Sequence, residues 1–415
     1  MRVCIHRGSK QIGGSCVELE AQGHRIVLDL GLPLDAETND RRYLPAINGF
    51  DGSDPSLRGI LISHPHLDHY GLLSHVSQNI KVGLGPAARR MLKAASDFVP
   101  GDWPIPVAGW DYKSGQTFEI GPFRVTPHLV DHSAFDAYAL LIEAEGKRLF
   151  YSGDFRGHGR KSALFEKMLA NPPTDIDALL VEGSSLGRLG ADEAFPTESD
   201  IEAQLATTFR ATAGLALVHT SAQNIDRIVS ILRAARKTGR TLVIDLYAAA
   251  LLEATGNANL PQSGWKDVAL FVPEAQRRHV KRNALFDLLS KHSKNRIFAE
   301  HLKADPSKFA ILFRPLHRFD LERAECLIDA RYVYSQWEGY WEGGTYDNLR
   351  DWIHSRSIPK LSVHTSGHAS PKDLKAFVKA VAPRRVVSIH TFRPELYPTM
   401  FDNVEPHADG EWWGL

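Results

Sequence analysis

Ile60-Leu61-Ile62-Ser63-His64-Pro65-His66-Leu67-Asp68-His69-Tyr70-Gly71 is the stretch that decides how this chain is read. An apolar run ends in four potential metal ligands packed into six residues, and a glycine follows. Residues 59–62 read as a buried strand, with the polar cluster where the strand stops. Sheet proteins place chemistry at such strand ends, because the sheet is rigid and the loop beyond it is free. His64 and His66, two apart in an extended segment, point the same way, while Asp68 and His69 face a second point from the turn that follows. Imidazole mixed with carboxylate suits zinc or manganese and not calcium, which takes oxygen ligands. One stretch cannot close two metal shells, so further ligands are expected elsewhere in the chain.

The chain has 415 residues, enough for two domains and a sizeable core. Its 43% hydrophobic and 24% charged content is ordinary for a globular protein. No apolar run approaches a membrane span, and residues 1–7 lack the apolar core of a signal peptide, so the expectation is a cytoplasmic protein with no membrane partner. Cys4, Cys16 and Cys326 fit neither a disulfide framework nor a zinc finger. Net charge is zero, so an anionic partner must be drawn by a local patch.

Short strands come first, at 3–6, 16–20 and 25–29, split by Gly13-Gly14 and Gly23. Helices are predicted at 72–78 and 86–97, then strands at 117–120, 123–127, 137–143 and 147–151. This order suggests a sheet sandwich with outer helices. Near Pro196 the rhythm becomes that of a doubly wound α/β unit, with elements at 201–212, 215–219, 224–238 and 241–245. Sheet and helix return with 361–364, 371–381 and 385–390.

Four more candidate ligands sit at predicted strand ends. Asp29 ends one strand, His132 precedes the strand at 137, Asp154 follows Ser152-Gly153, and His390 ends Ser388-Ile389.

Asp29, the His64–His69 block, His132 and Asp154 resemble the four ordered motifs of the metallo-β-lactamase superfamily. The α/β segment after them resembles the β-CASP insertion of nucleic-acid-processing members. Glu182 in Val181-Glu182-Gly183, His368 in Ser366-Gly367-His368-Ala369 and His390 in Ile389-His390-Thr391 match further motifs of that branch. The group it looks like is ribonuclease J with its archaeal and polyadenylation-factor relatives. The fold so implied is α/β: an αββα four-layer sandwich over 1–195, an inserted β-CASP domain over 196–358, and a return segment over 359–415. With its last residue at Leu415 the chain is expected to lack the C-terminal domain of bacterial forms, and Glu182 stands where those forms usually have aspartate.

By the same resemblance two divalent ions, zinc or manganese, are expected. His64, His66 and His132 would hold the first and Asp68, His69 and His390 the second, with Asp154 bridging and Asp29 behind the ligands orienting them. Asp29, Asp68, Glu182 and His368 are the implied catalytic set. Paired metals about 3.5–4 Å apart activate a water for in-line attack on phosphorus. His368 is the candidate general acid, held by Glu182. Ser366 and Gly367 offer a phosphate nest, and Ser221 stands before a helix start or caps it. Residues 272–318 carry 11 Lys/Arg against 4 Asp/Glu, which fits a wall tracking a phosphate backbone or a solvated helix face. Trp337, Tyr340 and Trp341 fit base stacking or core packing.

Histidine at the last motif, where DNA-repair relatives tend to have valine, favours RNA. The function implied is a 5′-to-3′ exoribonuclease acting on single strands, with endonuclease activity also open and a homodimer compatible with it. The alternatives are a single-stranded DNA nuclease, a small-molecule hydrolase of the lactonase or thioesterase kind, and an inactive binding scaffold.

Overall fold

The computed structural model describes residues 1–99 and 108–415. Three antiparallel strands open the chain: β1 (Arg2–Arg7), β2 (Cys16–Ala21) and β3 (His24–Leu28). Strands β4 (Leu57–Leu61), β5 (Val82–Leu84) and β6 (Ala108–Asp111) extend that sheet in parallel. An antiparallel meander follows: β7 (Phe118–Ile120), β8 (Phe123–Val130), β9 (Ala137–Ala144) and β10 (Lys147–Tyr151). Strand β11 (Ala178–Glu182) joins β10 in parallel. Seven parallel strands come next: β12 (Ala216–His219), β13 (Thr241–Ile244), β14 (Val268–Phe271), β15 (Arg296–Ile297), β16 (Phe309–Phe313), β17 (Arg331–Tyr334) and β18 (Lys360–Ser362). Finally β19 (Val386–Ile389) pairs with β11 and β20 (Trp412–Gly414) with β1.

Two compact units result, one of residues 1–195 with 367–415 and one of residues 196–366. In the first, two sheets face each other, with orders β20-β1-β2-β3-β4-β5-β6 and β19-β11-β10-β9-β8-β7. The period-2 alternation of a strand sends Val3, Ile5, Val17, Leu19, Ile26 and Leu28 inward to meet Val125, Leu140, Ile142, Leu149, Tyr151 and Leu180. The opposite faces are also apolar. Val27, Ile60 and Ile62 pack under Leu72, Ala88 and Leu92, while Phe150, Leu179 and Val181 pack under Met168, Leu374 and Phe377. Helices thus cover both outer faces of the sandwich, giving the αββα order. Each fully buried Leu, Ile or Val adds about 1.5–3 kcal/mol of transfer free energy. The covering helix Pro371–Val381 is well started, with Pro371 in its first turn and a reciprocal cap between Ser370 and Asp373.

The second unit is a single parallel sheet in the order β15-β14-β13-β16-β12-β17-β18 with its own apolar core. One buried polar network braces it. Arg227 Nη2 donates to Glu198 at 2.9 Å, its Nη1 reaches the Ser335 carbonyl at 3.1 Å, and Ser230 Oγ donates to Glu198 at 2.6 Å. Both charges of this pair lie out of water.

Two expectations change. The segment expected as a helix over 72–78 is a short helix Leu67–Tyr70 running into a tight turn Gly71–His75. The Leu72 amide leaves the helical ladder and donates to the Leu30 carbonyl at 3.1 Å. The expected boundary at 358/359 also moves, because β18 is the edge strand of the second unit's sheet. Its ladder to β17 includes the Tyr332 amide on the Pro359 carbonyl and the Val363 amide on the Tyr334 carbonyl.

Replacing Arg227 with Met leaves the Glu198 carboxylate buried without its countercharge, at a cost of about 3–5 kcal/mol. Hydrogen exchange should then speed up across the helix Glu198–Arg210, while amides of β8 and β9 keep their wild-type rates.

Candidate metal centre

The site assembles at the C-terminal ends of strands in the first unit. Beyond β4 come Ser63, His64, His66, Asp68 and His69; beyond β8, His132; beyond β10, Asp154; beyond β19, His390. Their ligand atoms form overlapping groups, each within 4.8 Å: His64, His66 and His132; His64, His69 and Asp154; Asp68, His69 and His390; His132, Asp154 and His368. All seven residues expected as ligands are therefore in one cluster.

Asp154 is the hub. Its Oδ2 lies 3.2 Å from His69 Nε2, 3.5 Å from His64 Nε2, 3.7 Å from His390 Nε2 and 4.0 Å from His132 Nε2. Yet neither oxygen of Asp154 makes a hydrogen bond, and the Nε2 atoms of His64, His69 and His390 are buried without a partner too. Five unsatisfied polar atoms converging on one point are costly in a protein interior. His132 Nε2 also sits 3.2 Å from His66 Nδ1, an unfavourable approach if both atoms carry lone pairs. A divalent cation satisfies this set, since the donors are imidazole nitrogens and carboxylate oxygens of the kind zinc and manganese accept.

The back of the cluster explains why the rings point inward. Asp29 is fully buried with φ of 56°, and its carboxylate accepts from the Ser63 amide at 2.7 Å, Ser63 Oγ at 2.8 Å, His69 Nδ1 at 2.7 Å and Tyr151 Oη at 2.6 Å. With Ser63 Oγ donating to Asp29, His64 Nδ1 donates to Ser63 Oγ at 3.0 Å. Both rings are thereby assigned the Nδ1–H tautomer, leaving Nε2 as the electron-pair donor. His390 is held by Ser15 Oγ at 2.9 Å from its Nδ1. Its backbone has φ of 52° and is tied by its amide to the Gly8 carbonyl at 2.8 Å. Sequence reading missed Ser15, Ser63 and Tyr151, since a lone hydroxyl in an apolar strand carries no spacing signal.

Two glycines make room. A Cβ on Gly31 would fall 1.7 Å from the Asp68 carbonyl, and one on Gly153 (φ 52°) would fall 2.9 Å from Ser63 Cβ.

Charge follows burial. Loss of water pushes His64 and His132 well down and His66 down to about 4, so these rings are neutral. Burial works against a second proton on His69 too, but the Asp154 and Asp29 carboxylates raise it, and a cation would have to displace that proton from Nε2 on binding. Burial likewise opposes ionisation of Asp154, and the surrounding imidazoles, His390 first, hold it well below the usual carboxylate range.

At the edge of the cluster His368, 23% exposed, places Nδ1 3.1 Å from Glu182 Oε2 and 3.6 Å from Asp154 Oδ2. Burial lowers its affinity for a proton, but Glu182 and Asp154 outweigh that and lift it to about 9. Glu182 is fully buried and also accepts from the Phe155, Ser184 and Ala369 amides at 3.1, 3.3 and 3.4 Å.

The expected phosphate contacts look different. Ser366 is buried, and a Cβ on Gly367 would meet Ser133 Oγ at 2.4 Å, so that glycine is closed in by the His132 loop. Ser221, in the second unit, is exposed and accepts from the Gln223 amide at 3.2 Å, and the cap of the following helix is Asn224.

The sequence profile of the beta-lactamase superfamily domain matches residues 24–206. Over those residues the chain resembles the metallo-β-lactamase superfamily, in keeping with the motifs read from its sequence. It is similar to ribonuclease J of Sinorhizobium meliloti, 27% identical over 239 residues that cover 54% of this chain and 40% of that protein. It is also similar to transcription termination factor FttA of Methanothermobacter thermautotrophicus, 27% identical over 231 residues covering 51% of this chain and 35% of that protein. The chain thus spans less than half the length of these relatives. In overall fold it resembles a crystal structure of a protein of unknown function from Enterococcus faecalis V583, with TM-score 0.78, 19% identity, and coverage of 100% of this chain and 99% of that one. The superfamily match and the cluster together imply use of divalent metal.

Asp29→Ala frees the His69 ring and strands the Tyr151 hydroxyl. Manganese affinity, read by calorimetry on chelator-treated protein, should fall about 10–100-fold.

Proposed function

We propose that this chain is a metal-dependent nuclease that hydrolyses phosphodiester bonds of single-stranded RNA. The observation that carries it is the junction of two devices: unpaired imidazole and carboxylate atoms gathered around Asp154, and a carboxylate-held histidine 3.6 Å from that hub. The relatives named ribonuclease J support RNA as the polymer, as does histidine at position 390.

In this reading His64, His66 and His132 would hold one ion and Asp68, His69 and His390 a second, with Asp154 within reach of both sets. Two divalent ions, zinc or manganese, supply when bound a hydrolytic water at neutral pH and positive charge opposite the phosphate. Asp29 fixes His69 directly and His64 through Ser63, so that neither ring rotates away. Glu182 accepts from His368 Nδ1–H and keeps the ring protonated, so Nε2 is the atom that gives a proton to the departing oxygen. Stepwise attack from the 5′ end, giving exonucleolytic products, is the mode we propose from the resemblance to ribonuclease J.

The basic stretch contributes less than its composition implies. Arg277 pairs with Asp320, Arg278 with Glu274, Lys291 with Glu253, Lys303 with Glu325, Lys308 with Asp305 and Arg314 with Asp245. Four of those six acids lie outside residues 272–318. Lys281 and Arg282 are exposed and are the cations we assign to a phosphate backbone.

The test is incubation with 5′-phosphorylated and 5′-hydroxyl RNA and DNA in manganese or zinc, reading product sizes. Mononucleotides from RNA are expected; discrete long fragments would indicate an endonuclease, cleavage of DNA alone a deoxyribonuclease, and intact polymers would refute the nuclease reading. His368→Gln should lower turnover about 100-fold or more with metal content unchanged by elemental analysis; undiminished turnover would remove the acid role. Reversing charge at Lys281 and Arg282 should weaken RNA binding and reduce the slope of log affinity against log salt by about two.

A further inference from the structure

We infer that Leu34, Leu67 and Phe392 form an apolar rim beside the metal cluster that receives a nucleobase flanking the scissile phosphate. This inference rests on the nuclease function proposed above. Single apolar side chains scattered over a surface are ordinary. These three are not scattered. The exposed large hydrophobics of the first unit, among the described residues, are Leu34, Leu67, Val99 and Phe392. Three of those four adjoin the residues of the cluster itself.

Leu67 is 42% exposed and sits between His66 and Asp68 in the chain. Phe392 is 57% exposed and stands two residues after His390, which keeps their Cα atoms within about 7 Å. Leu34 is 47% exposed and arrives from another loop. The point where a Cβ on Gly13 would lie is 2.6 Å from Leu34 Cγ and 3.3 Å from Asp68 Cβ, so those two atoms are at most about 6 Å apart. The Gly13 amide in turn approaches His390 Nδ1 at 3.4 Å. Gly13 therefore adjoins Leu34, Asp68 and His390 at once.

The rim is held in place. The Leu32 amide donates to the Leu67 carbonyl at 2.9 Å, the Leu30 amide to the His69 carbonyl at 2.8 Å, and Gly13 bridges to Pro33. Leu34 and Leu67 are thus carried by segments strapped together by backbone hydrogen bonds. None of the three side chains is needed to build the sandwich core.

A polymer whose phosphate is engaged at the cluster has a base on either side of it. Such a base presents an apolar face and tolerates an apolar floor whatever its identity. A site with a few converging polar groups and an apolar surround is also the usual composition of a ligand pocket. The rim should therefore sense whether a base is present and not which base it is.

The experiment pairs Phe392→Ser with oligonucleotides that carry one abasic residue next to the cleaved position. On wild type the abasic substitution should raise KM about tenfold, and Phe392→Ser should raise KM by a similar factor on the intact strand. In the variant the abasic substitution should then add little. Leu34→Ser, outside the ligand-bearing turns, repeats the cycle should Phe392→Ser fail to fold. An abasic penalty of equal size in wild type and both variants overturns the rim while leaving the nuclease reading intact. Wild type that cleaves no strand of any kind overturns the nuclease reading, and the rim with it.

Discussion

A carboxylate at Asp154 with both oxygens out of water and without a hydrogen bond is the constraint around which the first unit is arranged. Burial of such a group is unfavourable unless positive charge or a donor is supplied. Three other strand ends bring imidazoles from positions 64, 69, 132 and 390 within 4.0 Å of one oxygen, and a cation held among them would supply that charge. Strand ends are what make this possible. A side chain one step past a sheet inherits the sheet's rigidity, and a register slip of one residue in any of the four strands would turn its ligand away. The two-sheet core is thus a positioning device as well as a source of stability.

The same logic explains the layer behind the ligands. Neutral imidazole offers a lone pair on either nitrogen, and only a fixed tautomer makes the inner one the donor. Asp29 does this with one carboxylate, directly for His69 and through Ser63 for His64. A left-handed backbone at Asp29, uncommon for a residue with a side chain, is tolerated because four hydrogen bonds hold it there.

What could be read from the sequence follows from range. The block at 64–69 is dense in ligands within six residues, so local composition alone announced it, and strand-end acids at 29 and 154 stood out against apolar runs. Tyr151 could not stand out. Its partner Asp29 is 122 positions away, and Ser15 lies 375 from His390. The basic count over 272–318 misled for a related reason: a linear window does not see Asp245, Glu253, Asp320 and Glu325, which approach from outside it. Strand 360–362 was assigned to the wrong unit because its residues suit the edge of either sheet, and the choice is made by hydrogen bonds to β17. Helical spacing over 72–78 was real, but Leu30 draws the Leu72 amide out of the ladder.

The last 49 residues complete what the first 195 leave unfinished. Strand β19 seals one edge of the second sheet beside β11, and β20 seals the edge of the first beside β1. With them come His368 and His390, so the sheets and the cluster close together. An insertion of 171 residues between the two parts is compatible with folding, because loop-closure entropy grows only with the logarithm of length and the inserted unit has a core of its own. The arrangement couples structure to chemistry in one direction. Until β19 pairs with β11, Glu182 has no His368 to hold and His69 has no His390 beside it. A chain that has not finished its sandwich therefore has neither device in place.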